Sequence, residues 1–231
     1  SFYFFYICSP PGNINNMNFV PAFEHSTRAI KGFGDSRKPK SGKKSCFNFI
    51  NFYNKNIVKV GIDPLVNKYI KYYKKIDYKI SDFFSSSKIL KKKIKNKFKI
   101  ITALSVFYDA KDPNQFLKDV NKLLSEDGIF LLEHADLLSI LKLKMFDTIC
   151  HEHLHYYSTK VIINIVLKHN LRVFDLKRNN INGGSTQYFI CKKNSKYKTN
   201  YKTINKILNE ERKFKLENKK TFLNFYKEIN T

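Results

Sequence analysis

Short β-branched runs closed by an acid, with helical segments between them, constrain this sequence most. Ile57-Val-Lys-Val-Gly-Ile62 ends at Asp63-Pro64, and Ile129-Phe-Leu-Leu132 ends at Glu133. Continuous apolar strands of this kind are buried on both faces, as in sheets covered by helices. Tyr78-Lys-Ile80 and Phe98-Lys-Ile-Ile-Thr-Ala103 read as further strands, and the lysine-rich residues 65–75 and 88–96 as helices. Asp112-Pro113 opens another helix, with Asp112 as N-cap and Pro113 at the first helical position. Phe116, Val120, Leu123 and Leu124 mark its apolar face, and Glu126-Asp127-Gly128 ends it. Ser158 or Thr159 caps a helix reaching about Asn170, with Val161, Ile162, Ile165 and Val166 inward. Arg172-Val-Phe-Asp-Leu176 is a strand, and Asn182-Gly183-Gly184 turns into Thr186-Gln-Tyr-Phe-Ile190, which is expected to return antiparallel. From about Asn200 a charged helix follows, with apolar positions only at Ile204, Ile207, Leu208 and Phe214.

Strands alternating with helices imply an α/β fold with a mainly parallel sheet, and such sheets hold ligands at the carboxyl ends of their strands. The loops after Ile62, Ile80, Ala103 and Leu132 are therefore expected to bring Asp63, Asp82-Phe83, Ser105 with Tyr108-Asp109, and Glu133-His134 to one crevice. Asp63 reads either as a helix cap or as an acid whose two oxygens accept both hydroxyls of a ribose. Asp82 reads either as a solvated turn residue or as part of the same site.

Residues 1–56 have another texture. Pro10-Pro11-Gly12, Asn13-Ile-Asn-Asn16 and Arg37-Lys-Pro-Lys-Ser-Gly-Lys-Lys44 are breakers and charge without periodicity. Four parts are expected: an irregular, disordered or frameshifted 1–56, an α/β part over 57–145, a segment over 146–195 that completes the sheet, and a charged helix at 196–231. The chain opens on Ser1, which suggests a fragment. Its 231 residues, 42% of them hydrophobic, suffice for one packed domain. No apolar run approaches the roughly 20 residues that span a bilayer. Cys8, Cys46, Cys150 and Cys191 include no C-x-x-C pair, so a reducing cytoplasm is expected, without a disulfide framework.

The formal charge is +24, which fits a polyanion partner. It also fits AT-rich coding, since only Arg28, Arg37, Arg172, Arg178 and Arg212 are arginine, and bidentate base contacts favour that residue. No specific nucleic acid is expected, and attraction for small anions is compatible with the charge.

His151-Glu152-His153-Leu154-His155 gathers three of the six histidines and matches the zinc-protease pattern H-E-x-x-H. That pattern requires a helix with His151 and His155 on one face and Glu152 as base. The flanks argue against a helix: Asp147-Thr-Ile-Cys150 is β-branched, and Tyr156-Tyr-Ser-Thr159 leads into a helix cap. In an extended segment His151, His153 and His155 share a face, which leaves an incidental metal site open. The bland reading is a surface loop with satisfied histidines.

Several short motifs occur in one order. They are Val60-Gly-Ile-Asp-Pro64, Asp82-Phe-Phe84, Ile101-Thr-Ala103 with Phe107-Tyr-Asp109, Asp127-Gly128, Glu133, Phe146-Asp-Thr-Ile-Cys-His-Glu-His153, Tyr156-Tyr157 and Asn182-Gly-Gly-Ser185. This set, a little over half the chain, resembles the S-adenosylmethionine-dependent C-methyltransferases acting on nucleotide-linked keto-deoxysugars. The resemblance implies a Rossmann-like class I methyltransferase sheet with helices on both faces, incomplete at the N-terminus. It implies S-adenosylmethionine as cofactor, with Asp63, Pro64, Asp82, Phe83 and Ala103 on the cofactor side. Tyr108, Tyr157, Asn182, Gly183, Gly184 and Ser185 would lie near the sugar. His153 would be the base, with Glu152 and His151 beside it. An imidazole suits the removal of a proton next to a ketone, and a carboxylate can support its charged form.

Many relatives carry Tyr where Cys150 stands. The family's zinc-binding N-terminal domain and second C-terminal lobe have no recognisable counterpart. Its glycine-rich loop belongs about 20 residues before the ribose acid, where this chain reads Lys40-Ser-Gly-Lys-Lys-Ser-Cys46, and Gly32-Phe-Gly34 is only an echo. Weak or absent donor binding by this chain is therefore expected, and a frameshifted or truncated start would account for it. A basic binding module and a zinc hydrolase are the alternative functions.

Overall fold

The structure, a computed structural model, describes residues 4–9, 58–68, 70–73, 76–94 and 97–230. The chain divides into two compact units, Ser1–Lys99 and Ile100–Thr231.

In the first unit β1 (Phe4–Ser9) pairs antiparallel with β2 (Val58–Ile62), which pairs in parallel with β3 (Tyr78–Ile80). The β-branched run does what such runs do: Val60 and Ile62 are buried, and so is Ile80 opposite Ile62. The helix expected over 65–75 does not form. A turn runs through Lys68, and a 3-10 helix follows at Ile70–Tyr73. Asp63 Oδ1 accepts the Leu65 N–H at 2.6 Å, which closes an Asx turn at the end of β2. The basic helix expected over 88–96 is α1 (Ser86–Lys91), which starts earlier and stops earlier, with Lys93 in the left-handed region at φ 59°.

The second unit holds most of β4 (Phe98–Leu104), then α2 (Pro113–Leu123), β5 (Leu124–Ala135), α3 (Leu137–Lys142), α4 (Thr159–Leu167), β6 (Leu171–Asn179), β7 (Ser185–Lys192), α5 (Tyr201–Lys213) and α6 (Lys219–Ile229). Its strand order is β4-β5-β7-β6, and β7 runs antiparallel to both neighbours. The α/β class is as expected and so is the antiparallel return, but the sheet is mixed rather than mainly parallel. The expected caps form: Asp112 Oδ1 accepts from Gln115 N at 2.9 Å, and Ser158 Oγ from Val161 N at 3.4 Å.

Three other expectations are corrected. β5 starts at Leu124 and runs straight through Glu126-Asp127-Gly128 to Ala135. Glu133 and His134 are therefore buried strand residues rather than loop residues, and alternation along the strand puts them on opposite faces. α4 ends at Leu167, and its Val161 faces solvent while Ile162 and Val166 carry the packing. The C-terminal charged helix is two helices. Lys215 takes φ 58° and Asn218 caps α6 by accepting from Lys220 N at 2.9 Å, which turns Leu216 and Phe225 onto Leu138 and Leu141. Among the described residues no helix is long and apolar enough to cross a membrane.

Candidate active site

The segment between α3 and α4 is a 3-10 turn (Phe146–Thr148), a turn at His151 and Glu152, and an irregular stretch to Ser158. The Thr148 carbonyl organises it. That oxygen accepts from His153 Nδ1 at 2.9 Å and from Tyr156 Oη at 3.3 Å. Tyr156 Oη in turn accepts from Cys150 N at 3.2 Å, and His153 N donates to Cys150 O at 3.2 Å. A carbonyl can only accept, so Nδ1 of His153 carries a proton and Nε2 of the neutral ring carries the lone pair. The Tyr108 ring meets the His153 ring edge-on at 4.5 Å, and Tyr156 lies at 6.3 Å.

His151 and Glu152 are exposed and His153 is half-buried. The orientation of His153 comes from a backbone carbonyl, a partner that no side-chain motif announces. His155 has its own anchors: its N–H donates to Tyr108 O at 3.0 Å and its Nε2 to Ala110 O at 3.2 Å. These bonds tie the loop to the 3-10 turn Phe107–Asp109, where Phe107 stacks on buried Tyr157 at 5.3 Å. Since the segment is not helical, His151 and His155 do not share a helix face as a zinc protease requires. No group of three or more His, Cys, Asp or Glu among the described residues is placed to hold a metal ion.

The glycine turn closes onto α3. Gly183 has φ 78° and Gly184 φ 140°, and a Cβ on Gly184 would come within 2.7 Å of Ser139 Cβ and Oγ. The Gly184 carbonyl accepts from Asp136 N at 3.0 Å, and Ser185 Oγ donates to Ile181 O at 2.9 Å. Behind the turn, fully buried Asp136 takes a hydrogen bond from Ser139 Oγ at 2.9 Å and lies 3.2 Å from Arg178 Nε. Arg178 also reaches Glu210 at 2.5 Å. On the other face of β5, Glu133 Oε2 accepts from Gln187 Nε2 at 2.5 Å and Asn179 Nδ2 at 3.1 Å. Burial raises its carboxyl above the ordinary range, and the two amides only partly offset this.

In the first unit, buried Asp63 follows β2. Its N–H donates to Ile80 O at 3.0 Å, and burial pushes its carboxyl up to about 6. The Pro64 carbonyl accepts from Ser81 Oγ at 3.0 Å. Asp82 is half-buried and bonded to Lys88 at 2.5 Å, which holds it below the usual carboxylate range. Phe83 is 70% exposed. Ala103 is buried inside β4, in the second unit. The glycines at 32, 34 and 42 lie outside the described residues.

A groove of about 950 Å³ runs between α4, α5 and the turn into α6, and Tyr156 and Ser158 line one side of it. Lys160, Arg212, Lys215 and Lys219 line it together with Glu217, which pairs with Lys160, and Leu208 and Leu216 add apolar surface. Glu211 spans the start of α4, accepting from Thr159 N at 2.6 Å and Lys160 N at 3.2 Å.

Comparison with known proteins gives the class first. The family model for the C-methyltransferase C-terminal domain matches residues 180–231, from the glycine turn to the last helix. The likeness therefore reaches into residues 191–231, where the sequence motifs carried none. "C-methyltransferase NovU" of Streptomyces niveus is 34% identical over 91 residues, which is 39% of this chain and 22% of that protein. Over these stretches the chain is similar to the C-methyltransferases that its motifs resemble, and it spans about a fifth of the length of that curated relative. A solved "SAM-dependent methyltransferase, possible histamine N-methyltransferase" of Thermotoga maritima is similar at 12% identity and TM-score 0.49, covering 76% of this chain and 96% of that one. PKMT2 of Rickettsia typhi, solved with AdoHcy, is similar at 13% identity and TM-score 0.38, covering 62% of this chain and 46% of that one.

Proposed function

We propose that this chain is part of an S-adenosylmethionine-dependent C-methyltransferase that methylates a carbon next to a ketone on a nucleotide-linked deoxysugar. The observation that carries this reading is the His153 ring. Its Nδ1–H is held by the Thr148 carbonyl, and its Nε2 lone pair is left for a proton on a half-exposed loop against Tyr108. Nε2 removes the proton from the carbon, and the C–H electron pair moves into the carbonyl as an enolate. S-Adenosylmethionine, when bound, supplies the electrophilic methyl that the enolate carbon takes. The Glu152 carboxylate, next in sequence, favours the imidazolium once the proton has moved, and His151 lies beside it. Tyr108, Tyr157 and residues 182–185 shape the sugar side, and holding the carbon in line contributes more to rate than covalent chemistry does.

The chain's residues fit the donor in part. Asp63 is a buried carboxylate just past β2, suited to a ribose diol, although Oδ1 already takes Leu65 N. Pro64, Asp82, Phe83 and Ala103 are assigned to the donor by resemblance. The groove beside Tyr156 is compatible with a nucleotide-linked sugar, because Arg212, Lys215 and Lys219 line it beside Leu208 and Leu216, while Lys160 is paired with Glu217. Cytoplasmic location fits Cys150 and Cys191, which are both unpaired thiols.

The test is calorimetry with S-adenosylhomocysteine, paired with methyl transfer to a nucleotide-linked 4-keto-deoxysugar. A version with an intact glycine loop should bind, and His153→Gln should keep that binding while losing transfer. No binding by that version sinks the reading. This chain should bind weakly or not at all, and micromolar affinity would refute that part.

A further inference from the structure

His134 stands outside the site above. It is 1% exposed, in the β5 register opposite Thr186, and its ring stacks on Tyr188 at 5.3 Å and lies 5.7 Å from Tyr157. Its Nδ1 meets the Ala135 carbonyl at 2.8 Å, so that nitrogen carries the proton and Nε2 is an acceptor. Burial lowers the pKa of the ring and keeps it neutral. Nε2 has no hydrogen-bond partner among the described residues, and neither does the buried hydroxyl of Tyr157.

Leaving a donor and an acceptor unsatisfied in one buried neighbourhood costs more than one ordinary hydrogen bond returns. The two atoms are complementary to one molecule, since the Tyr157 hydroxyl can donate and His134 Nε2 can only accept. A water takes the hydroxyl proton and donates one of its own to Nε2, and a buried water typically makes about three such bonds. Because the atoms are closed to solvent, a resident molecule fits better than one that comes and goes. We propose that a single structural water bridges Tyr157 Oη to His134 Nε2, making His134 a positioning residue for Tyr157. Tyr157 stacks on Phe107 and lies 5.5 Å from His155, so the water fixes the ring that backs the 146–158 loop. The inference rests on geometry within Ile100–Thr231 and holds whether or not the chain transfers methyl groups.

Tyr157→Phe removes only the hydroxyl oxygen and is the least disruptive probe. The full chain with this substitution should melt about 2–4 °C lower. Its His134 Nε2 nitrogen resonance should move away from the hydrogen-bonded position, and that change has no counterpart in a purely steric role. An unchanged or raised melting temperature overturns the bridge, because removing an orphan hydroxyl should be neutral or stabilising. An unmoved His134 resonance overturns it as well. Should the variant fail to fold, a crystal structure of the unsubstituted chain that resolves ordered water decides: density in hydrogen-bond reach of both side chains supports the water, and its absence refutes it.

Discussion

His134 and His153 use the same device in two settings, and the comparison shows what exposure does to an imidazole. Each donates Nδ1–H to a backbone carbonyl, Ala135 in one case and Thr148 in the other, so each presents its Nε2 lone pair. His134 presents it into a closed space between Tyr157 and Tyr188. His153 presents it from a half-exposed loop against Tyr108. The buried ring can only accept from a resident group, so it is structural. The half-exposed one can take a proton from a substrate and pass it to solvent, so it suits catalysis.

The largest expected effect tests the catalytic half. His153→Gln in an active, full-length relative of this chain should lower methyl transfer by about 10²–10⁴-fold, as loss of a general base does. Its melting temperature should stay nearly unchanged; a melting shift as large as that of a core variant would make His153 structural too and erase the contrast. Next comes the buried half: His134→Ala should destabilise by about 3 kcal/mol through a lost buried ring and its cavity, read by urea unfolding. A change under about 1 kcal/mol would mean the site collapses without it.

Asp63 sharpens the same lesson with a carboxylate. Its folded pKa of about 6 lies above the ordinary aspartate value of about 3.9, so the folded state holds the proton more tightly than the unfolded chain. Stability should therefore rise as pH falls through 6 towards 4, by at most about 3 kcal/mol, and the gain should be absent at neutral pH. Asp63→Asn should flatten that part of the stability–pH curve, and an unaltered curve would remove Asp63 as its source. The smallest effect belongs to exposed His151. His151→Ala should leave stability within about 0.5 kcal/mol, and zinc content by elemental analysis should be the same with and without it.

The acids at the strand ends show how far the sequence was legible. Asp63 follows its strand and Asp112 and Ser158 cap their helices as read, because caps and β-branched runs act over a few residues. Glu133 was read as the end of its strand, yet the strand continues two residues further. Pairing with β7 through Ala135↔Ser185 outweighs the local preference of Glu126-Asp127-Gly128 for a turn. The helix expected over 65–75 is replaced among the described residues by a turn and the 3-10 helix Ile70–Tyr73, which bury Val66 and Tyr73 without it. The geometry of the histidine cluster was not legible in the sequence. Three alternating histidines suggested one shared face, whereas Thr148 O and Ala110 O take His153 and His155 separately and His151 faces solvent.

The sequence by itself determined the α/β class, the antiparallel return after Gly183-Gly184 and the motif order that resembles the C-methyltransferases, since these rest on periodicity, glycine conformations and local spacing. Only the tertiary structure decided which nitrogen of each histidine holds the proton, that Glu133 lies between two amides, and that Asp136 meets Arg178. Those outcomes depend on which backbone carbonyls and distant side chains arrive at one place, and long-range pairing of β5, β6 and β7 sets that rather than any residue's own preference.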